Sequence, residues 1–302
     1  MKKLYVVGNG FDLHHGLRTG YSDFYNYMRQ NNSDLADRLE NYFCFNYDSQ
    51  YRWTDFENDL CSFDHQDFFD SINNIDVLSE SFKLSECYGL ADDIEQQAED
   101  LVQSIKDEFR DWIESIKYPK ECGANVINFK PKAFFLNFNY TDTLEEIYNI
   151  PRDRILYIHN NVNDLSGELI FGHGQLKESN PPPNQFDDDG EPTRTMFTDA
   201  DNLSRFPYYA FKKDTHGVIK QHWQFFKMLN DVDEIIVLGH SLGKVDWPYF
   251  KLISKMTNSA TWKISYYGDK ELTTKKADAK KMLGRSYTGV EMIKITELQL
   301  LV

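Results

Sequence analysis

Short apolar runs punctuate the chain at KLYVVG (3–8), FFLNF (134–138), ILYIH (155–159), LIFGH (169–173), EIIVLGH (234–240) and WKISYYG (262–268). None alternates strictly between apolar and polar positions. Each therefore reads as a strand covered on both faces, the habit of a parallel sheet flanked by helices. Between the runs the period changes. Over 90–116, Ile94, Ala98, Leu101, Ile105, Phe109, Trp112 and Ile116 recur every three or four residues among Gln, Asp and Glu. That spacing predicts a helix with one buried stripe and one wet face, roughly 40 Å long. Further helices are predicted over 216–230 and from Asp246 to Met256.

After the first strand no convincing second one occurs until 134, too long a gap for a single crossover. Residues 30–128 read as a helical insertion or subdomain beside a sheet built from 1–29 and 130–302. The predicted fold class is α/β: one domain over 1–302, with a Rossmann-like, mostly parallel sheet, helices on both faces and this largely helical insertion. Residues 178–195 (ESNPPPNQFDDDGEPTRT) mix proline, acid and glycine without period. They read as a mobile loop, with a lid over a site as one use for it.

Composition narrows the class. Aromatic residues make up 15% of the chain, which argues for a core packed with large rings and against disorder. The net charge of −15 opposes contact with a nucleic acid backbone. The one basic cluster, Lys275, Lys276, Lys280, Lys281 and Arg285, contains Asp278 and reads as a solvated helix face. Cys44, Cys61, Cys87 and Cys122 lie far apart, so buried free thiols in a reducing compartment are expected, and neither zinc nor a redox pair. The apolar start breaks at Gly8, too soon for a signal peptide, and no stretch approaches membrane-spanning length. A cytoplasmic protein without a membrane partner is expected.

Four segments carry candidate chemistry. Gly8-Asn9-Gly10-Phe11-Asp12 follows the first strand and opens a helix, a geometry that offers backbone N–H groups to an anion. The third glycine of GxGxxG would fall at Leu13, so a plain tight turn is an equal reading. Asn137-Phe138-Asn139-Tyr140-Thr141-Asp142 ends a predicted strand, where open α/β sheets bind ligands. Asp142, with Glu145 three residues on, also fits a helix cap, whereas Asn139 does not. His159 and His173 each end a predicted run beside what reads as one sheet edge, without metal-ligand spacing. Gly239-His240-Ser241-Leu242-Gly243 fits the GxSxG elbow of α/β-hydrolases. Those enzymes place their histidine after the serine, and none follows Ser241. The other use of that turn is contact with ribose or phosphate.

Taken together, GNGFDLHHGLRTGYSDF (8–24), NFNYTDTLE (137–145), IHN (158–160), IFGHG (170–174) and GHSLGKVDWPYF (239–250) resemble the bacterial abortive infection AbiH family. Their order and spacing cover nearly the whole chain. That family in turn looks like a divergent branch of the sirtuin-like, NAD-binding fold. Gly8, Gly10, Gly16 and Leu17 match the sirtuin-like GAGxSxxxGLP opening, with Asp12 in place of serine and Arg18 in place of proline. Asn139, Tyr140, Leu144 and Glu145 fall on the TNYDxLLE stretch, with Thr141 at its aspartate and Asp142 immediately after. His159 falls on the general-base histidine of an HG pair, with Asn160 for the glycine, and Gly239 and Ser241 fall on the GxS ribose turn. Asparagine tolerates the left-handed backbone such a glycine adopts.

The resemblance implies an anti-phage protein that hydrolyses the nicotinamide–ribose bond of NAD, with NAD as substrate and no metal. Gly8, Asn9, Gly10, Phe11, Asp12, Gly239, His240 and Ser241 would contact the nucleotide. Asn139 would orient ribose or water, His159 would act as base, and Asp142 or Asp12 would stabilise developing positive charge. Deacetylation is disfavoured because the four clustered cysteines of a zinc module are absent from the sequence. A homo-oligomer and a phage-derived trigger are the partners such a role implies. A nucleotide-binding sensor without catalysis, and a nuclease or GxSxG-type hydrolase, remain the alternatives.

Overall fold

The computed structural model describes residues 2–47, 51–119, 126–164, 167–175, 181–182, 184, 186, 190–257 and 260–300. Cys122 and parts of the 178–195 loop lie outside the described residues. The chain divides into two compact units: Met1–Gly20, Trp112–Ile170 and Asp214–Val302 form the first, and Tyr21–Asp111 with Phe171–Lys213 the second.

The first unit is an open, all-parallel α/β sheet. Its strands are β1 (Lys2–Val7), β2 (Phe134–Asn137), β3 (Ile155–Tyr157), β4 (Val232–Leu238), β5 (Thr261–Tyr266) and β6 (Val290–Lys294). They lie in the order β3-β2-β1-β4-β5-β6, and every neighbouring pair is parallel. The chain winds outward from β1 in one direction through β2 and β3, then restarts on the other side at β4. The switch between the two windings therefore falls between β1 and β4, where doubly wound sheets open a crevice.

Burial explains why the strands read as unbroken apolar runs. Leu4, Val6, Leu136, Ile235, Val237 and Ile264 pack into one cluster. Their neighbours Tyr5, Val7, Phe135, Ile236 and Leu238 pack into a second cluster on the opposite face. The first cluster takes in residues of the helices Thr215–Gln221, Trp223–Lys227, Trp247–Met256 and Asp269–Leu283. The second takes in Phe11 and Leu144 from the short helices Asn9–His14 and Thr143–Glu146. With each buried Val or Leu worth roughly 1.5–3 kcal/mol, both faces favour this register strongly.

Two expectations need correction. LIFGH (169–173) is not a strand: Gly172 sits at φ +133°, and only His173 pairs, in an isolated bridge to Lys212. A Cβ on Gly172 would lie 1.9 Å from the Phe211 carbonyl oxygen, so the glycine there serves close packing, not extension. The helix predicted over 216–230 is broken into Thr215–Gln221, Trp223–Lys227 and a 3₁₀ turn at Met228–Asp231.

The second unit is helical and rich in rings. The stripe Ile94, Ala98, Leu101, Ile105 and Phe109 of the helix Ser85–Ser115 is fully buried. Phe24 meets Trp53, Phe56 and Phe109 edge-on or tilted, and Phe109 stacks on Phe171 at 4.4 Å between centroids. Such contacts add to the burial of the rings themselves. Among the described residues, no helix is long and apolar enough to cross a membrane.

Candidate functional site

The carboxyl ends of β1 and β4 touch through their glycines. Gly8 N donates to Leu238 O (2.9 Å) and Gly10 N donates to Gly239 O (2.7 Å). A Cβ on Gly8 would lie 2.6 Å from His240 Cα, and one on Gly239 (φ +65°) would lie 2.0 Å from Phe11 N. The glycines are thus required for two turns to cross at the switch point, a reason that holds whether or not a ligand is bound. Asn9 Nδ2 donates to Thr19 O (2.7 Å), and the Ser241 side chain is exposed at the far turn. No side chain of the described residues is hydrogen-bonded to Ser241, so the GxSxG sequence is not accompanied by an assembled nucleophile–base pair.

Behind this crossing, β5 and its following helix hold Gly239 in place. Gly239 N donates to Ser265 Oγ (2.8 Å), and Lys275 Nζ donates to Ser265 O (3.0 Å) while pairing with Glu271. Lys275 is buried, and burial lowers its pKa; Lys276, Lys280, Lys281 and Arg285 are exposed. The basic cluster is therefore a solvated face except at Lys275. That residue turns inward because Glu271, one helical turn earlier, and the Ser265 carbonyl satisfy its ammonium group.

Asp12, on the helix after β1, is 1% exposed. Burial pushes its carboxyl up to about 6, against hydrogen bonds from Thr141, Thr143 and Asn139 that favour the charged form. Thr141 Oγ1 donates to Asp12 Oδ2 at 2.5 Å. Asn137 Oδ1 accepts from Asn139 N (3.0 Å), turning the chain at the end of β2 so that Asn139 and Thr141 approach Asp12. Asp12 Oδ1 and Asn139 Nδ2 are both buried, yet neither has a partner that meets hydrogen-bond geometry. The Asn139 side chain is itself turned toward the Asp12 carboxyl, so the two groups serve one another within the buried cluster.

Asp142 lies beside this group but is differently engaged. Its carboxylate accepts from Asn161 Nδ2 (2.5 Å) and from Asn163 Nδ2, with Arg152 at 3.8 Å. Its backbone N–H donates to the Tyr118 hydroxyl (2.7 Å). These bonds tie the loop after β2 to the loop after β3. Asp142 also precedes the helix Thr143–Glu146 without a side-chain cap bond.

His159 follows β3, is 3% exposed, and directs Nε2 at Asp246 Oδ1 (3.7 Å). The other oxygen of Asp246 faces His240 Nε2 (3.5 Å). The Phe138 ring meets both imidazoles edge-on, at 5.3 Å from His159 and 4.4 Å from His240. Asn160 takes the left-handed conformation (φ +62°) and donates to Glu168 O (2.6 Å). His173 ends no strand of the sheet; it belongs to the second unit. There its Nε2 meets Tyr208 O (2.9 Å), its Nδ1 accepts from Gln175 N (3.3 Å), and burial lowers its pKa.

The sequence reading missed Asp246, taking it only as a helix start, and missed Thr143. Thr141 and Thr143 lie two apart in NYTDT after a strand, a spacing that lets both hydroxyls face one carboxylate. Asp246 carried no signal beyond its place in GHSLGKVDW. Among the described residues, no group of three His, Cys, Asp or Glu side chains is arranged to hold a metal ion.

A doubly wound parallel sheet, with buried polar side chains gathered at the carboxyl ends of β1 to β4, defines a Rossmann-like α/β protein. Residues 4–266 match the family described as bacteriophage abortive infection AbiH, and the chain belongs to that family. It is accordingly an abortive-infection protein directed against bacteriophage. No curated protein and no solved structure matches the chain.

Proposed function

We propose that the protein acts in the cytoplasm by hydrolysing the nicotinamide–ribose bond of NAD, in the manner of a divergent sirtuin-like fold. The observation that carries this reading is the buried polar group of Asp12 and Asn139 beside the β1–β4 switch point of the same sheet edge that bears His159. A nucleotide in that crevice would meet the Gly8–Phe11 turn, Gly239, His240 and the exposed Ser241 hydroxyl.

In the reaction, the C–N bond to nicotinamide breaks with its electron pair going to the pyridine nitrogen, which leaves the base neutral. The anomeric carbon gains oxocarbenium character and is attacked by water. His159 takes a proton from that water, and Asn139 orients the water or the ribose. The products are ADP-ribose, nicotinamide and one proton. Asp12 suits the developing positive charge better than Asp142 does, because a carboxylate in a desolvated site acts strongly on charge. The oxygens of Asp142 are already occupied by asparagines.

The test is release of nicotinamide from NAD by the purified protein, with and without extract of phage-infected cells. Release that disappears in His159→Ala and Asn139→Ala is the expected result. Binding of NAD without release in either condition would turn the reading into a nucleotide sensor. Absence of binding would overturn both.

A further inference from the structure

The β2–β3 ladder stops just short of two residues of the site. Beyond the bond from Ile158 N to Asn137 O (3.0 Å), Asn139 and His159 stand on chains that no longer pair as strands. The two chains meet again a few residues on. Val162 N donates to Tyr140 O (3.3 Å), and the Asp142 carboxylate accepts from Asn161 Nδ2 (2.5 Å) and from Asn163 Nδ2. Asn139 and His159 therefore lie inside a closed ring of chain, with the ladder at one end and this clasp at the other. Members of the clasp are fixed from a second side as well. Asn161 is fully buried, and its Oδ1 accepts from Asn163 N (2.8 Å), which leaves Nδ2 to point at Asp142. The backbone of Asp142 is held where its N–H meets the Tyr118 hydroxyl (2.7 Å). Hydrogen bonds to a carboxylate are stronger than those to a neutral acceptor, and a short span closed at both ends has few conformations open to it.

From this arrangement we infer that Asp142 is a positioning residue: its clasp on Asn161 and Asn163 sets the span bearing Asn139 against the span bearing His159. The inference rests on reading those two residues as the orienting group and the base of the proposed hydrolysis. Asp142 then serves the reaction by accepting hydrogen bonds, and not by its charge. Two substitutions tell these roles apart. Asp142→Asn removes the charge and keeps the clasp. The carboxamide oxygen still accepts from Asn161, and Asn163, which is exposed, turns its own amide over to accept from the carboxamide NH₂. Arg152 keeps Glu145 as a partner, at 3.6 Å. Asp142→Ala removes charge and clasp together. Asn161→Leu opens the clasp from the other side and leaves the Asp142 charge in place.

The experiment is amide hydrogen exchange followed by NMR, alongside nicotinamide release, on the wild type and these three variants. In Asp142→Ala and Asn161→Leu, the amides of Asn139 and Val162, one in each span, should exchange at least about tenfold faster. The kcat per folded molecule should fall about 10²-fold, the cost of misplaced catalytic groups, with KM altered far less. Asp142→Asn should rescue both readouts to within a few-fold of the wild type. If Asp142→Ala does not fold, Asn161→Leu set against Asp142→Asn makes the same comparison. Unchanged exchange in the clasp-opening variants overturns the inference whatever the activity, and so does quickened exchange with undiminished release. Wild-type exchange in Asp142→Asn with release lost as fully as in Asp142→Ala also overturns it, because the charge would then be what acts. The expected exchange pattern in a protein that never releases nicotinamide would keep the clasp and remove the NAD reading.

Discussion

Asp12→Asn isolates the energetic cost of the buried carboxyl. In the fold, burial raises its pKa from 3.8 to about 6, because Thr141, Thr143 and Asn139 only partly replace the lost water. Each unit corresponds to about 1.4 kcal/mol, so ionising Asp12 in place costs about 3 kcal/mol. The folded state binds this proton more tightly than the unfolded chain. Its contribution is fully present below the unfolded value and is lost as pH rises through the folded one. Asparagine keeps an acceptor for the Thr141 hydroxyl and removes the titration. The variant should therefore gain stability over the wild type as pH rises, with about 1.4 kcal/mol of the gain falling between pH 5 and pH 8. Urea unfolding at a series of pH values, monitored by circular dichroism, measures it; contributions from other groups cancel in the difference. Parallel stability curves for the two proteins would refute the assignment of a raised pKa to Asp12. The same carboxylate, costly to ionise in its buried place, is the one set to stabilise a developing cation, so the gain in stability should come with a loss of nicotinamide release.

Other consequences follow from the turns and the second unit. Gly239→Ala places a Cβ 2.0 Å from Phe11 N at φ +65°, and should lower stability by more than about 2 kcal/mol. Gly243→Ala, whose nearest neighbour is Ser241 Oγ at 3.7 Å, should melt close to the wild type; equal melting of the two variants would contradict the crossing of the turns. His173→Gln loses buried bonds in the second unit and should cost about 1–3 kcal/mol, while nicotinamide release per folded molecule stays unchanged. Lost release at unaltered stability would give His173 a part in the chemistry after all.

The strands that are buried on both faces were legible because burial itself writes the signal: β1 and β4 read as unbroken apolar runs. β6 was not, since in VEMIK only Ile293 is buried, and an edge strand needs no apolar run. LIFGH misled for the converse reason. Its apolar residues fill cores, while Gly172 bends the chain away from extension. At the site, Asn139 and His159 were visible from their places after apolar strands. The meaning of Gly8 and Gly239 was not, because a glycine that lets two distant turns cross looks identical to one that admits a phosphate. Asp246 was invisible for a related reason: its importance lies in standing between two histidines 81 residues apart in the chain, at positions 159 and 240, which only the parallel pairing of β1 to β4 brings together.

The central claim, consumption of NAD during infection, is tested most directly inside cells. NAD and nicotinamide are measured through phage infection in cells expressing the wild type or His159→Ala at equal abundance. NAD should collapse, with matching release of nicotinamide and arrest of phage growth, only with the wild type. Phage arrest with NAD undiminished, or a collapse that His159→Ala leaves intact, would contradict the account.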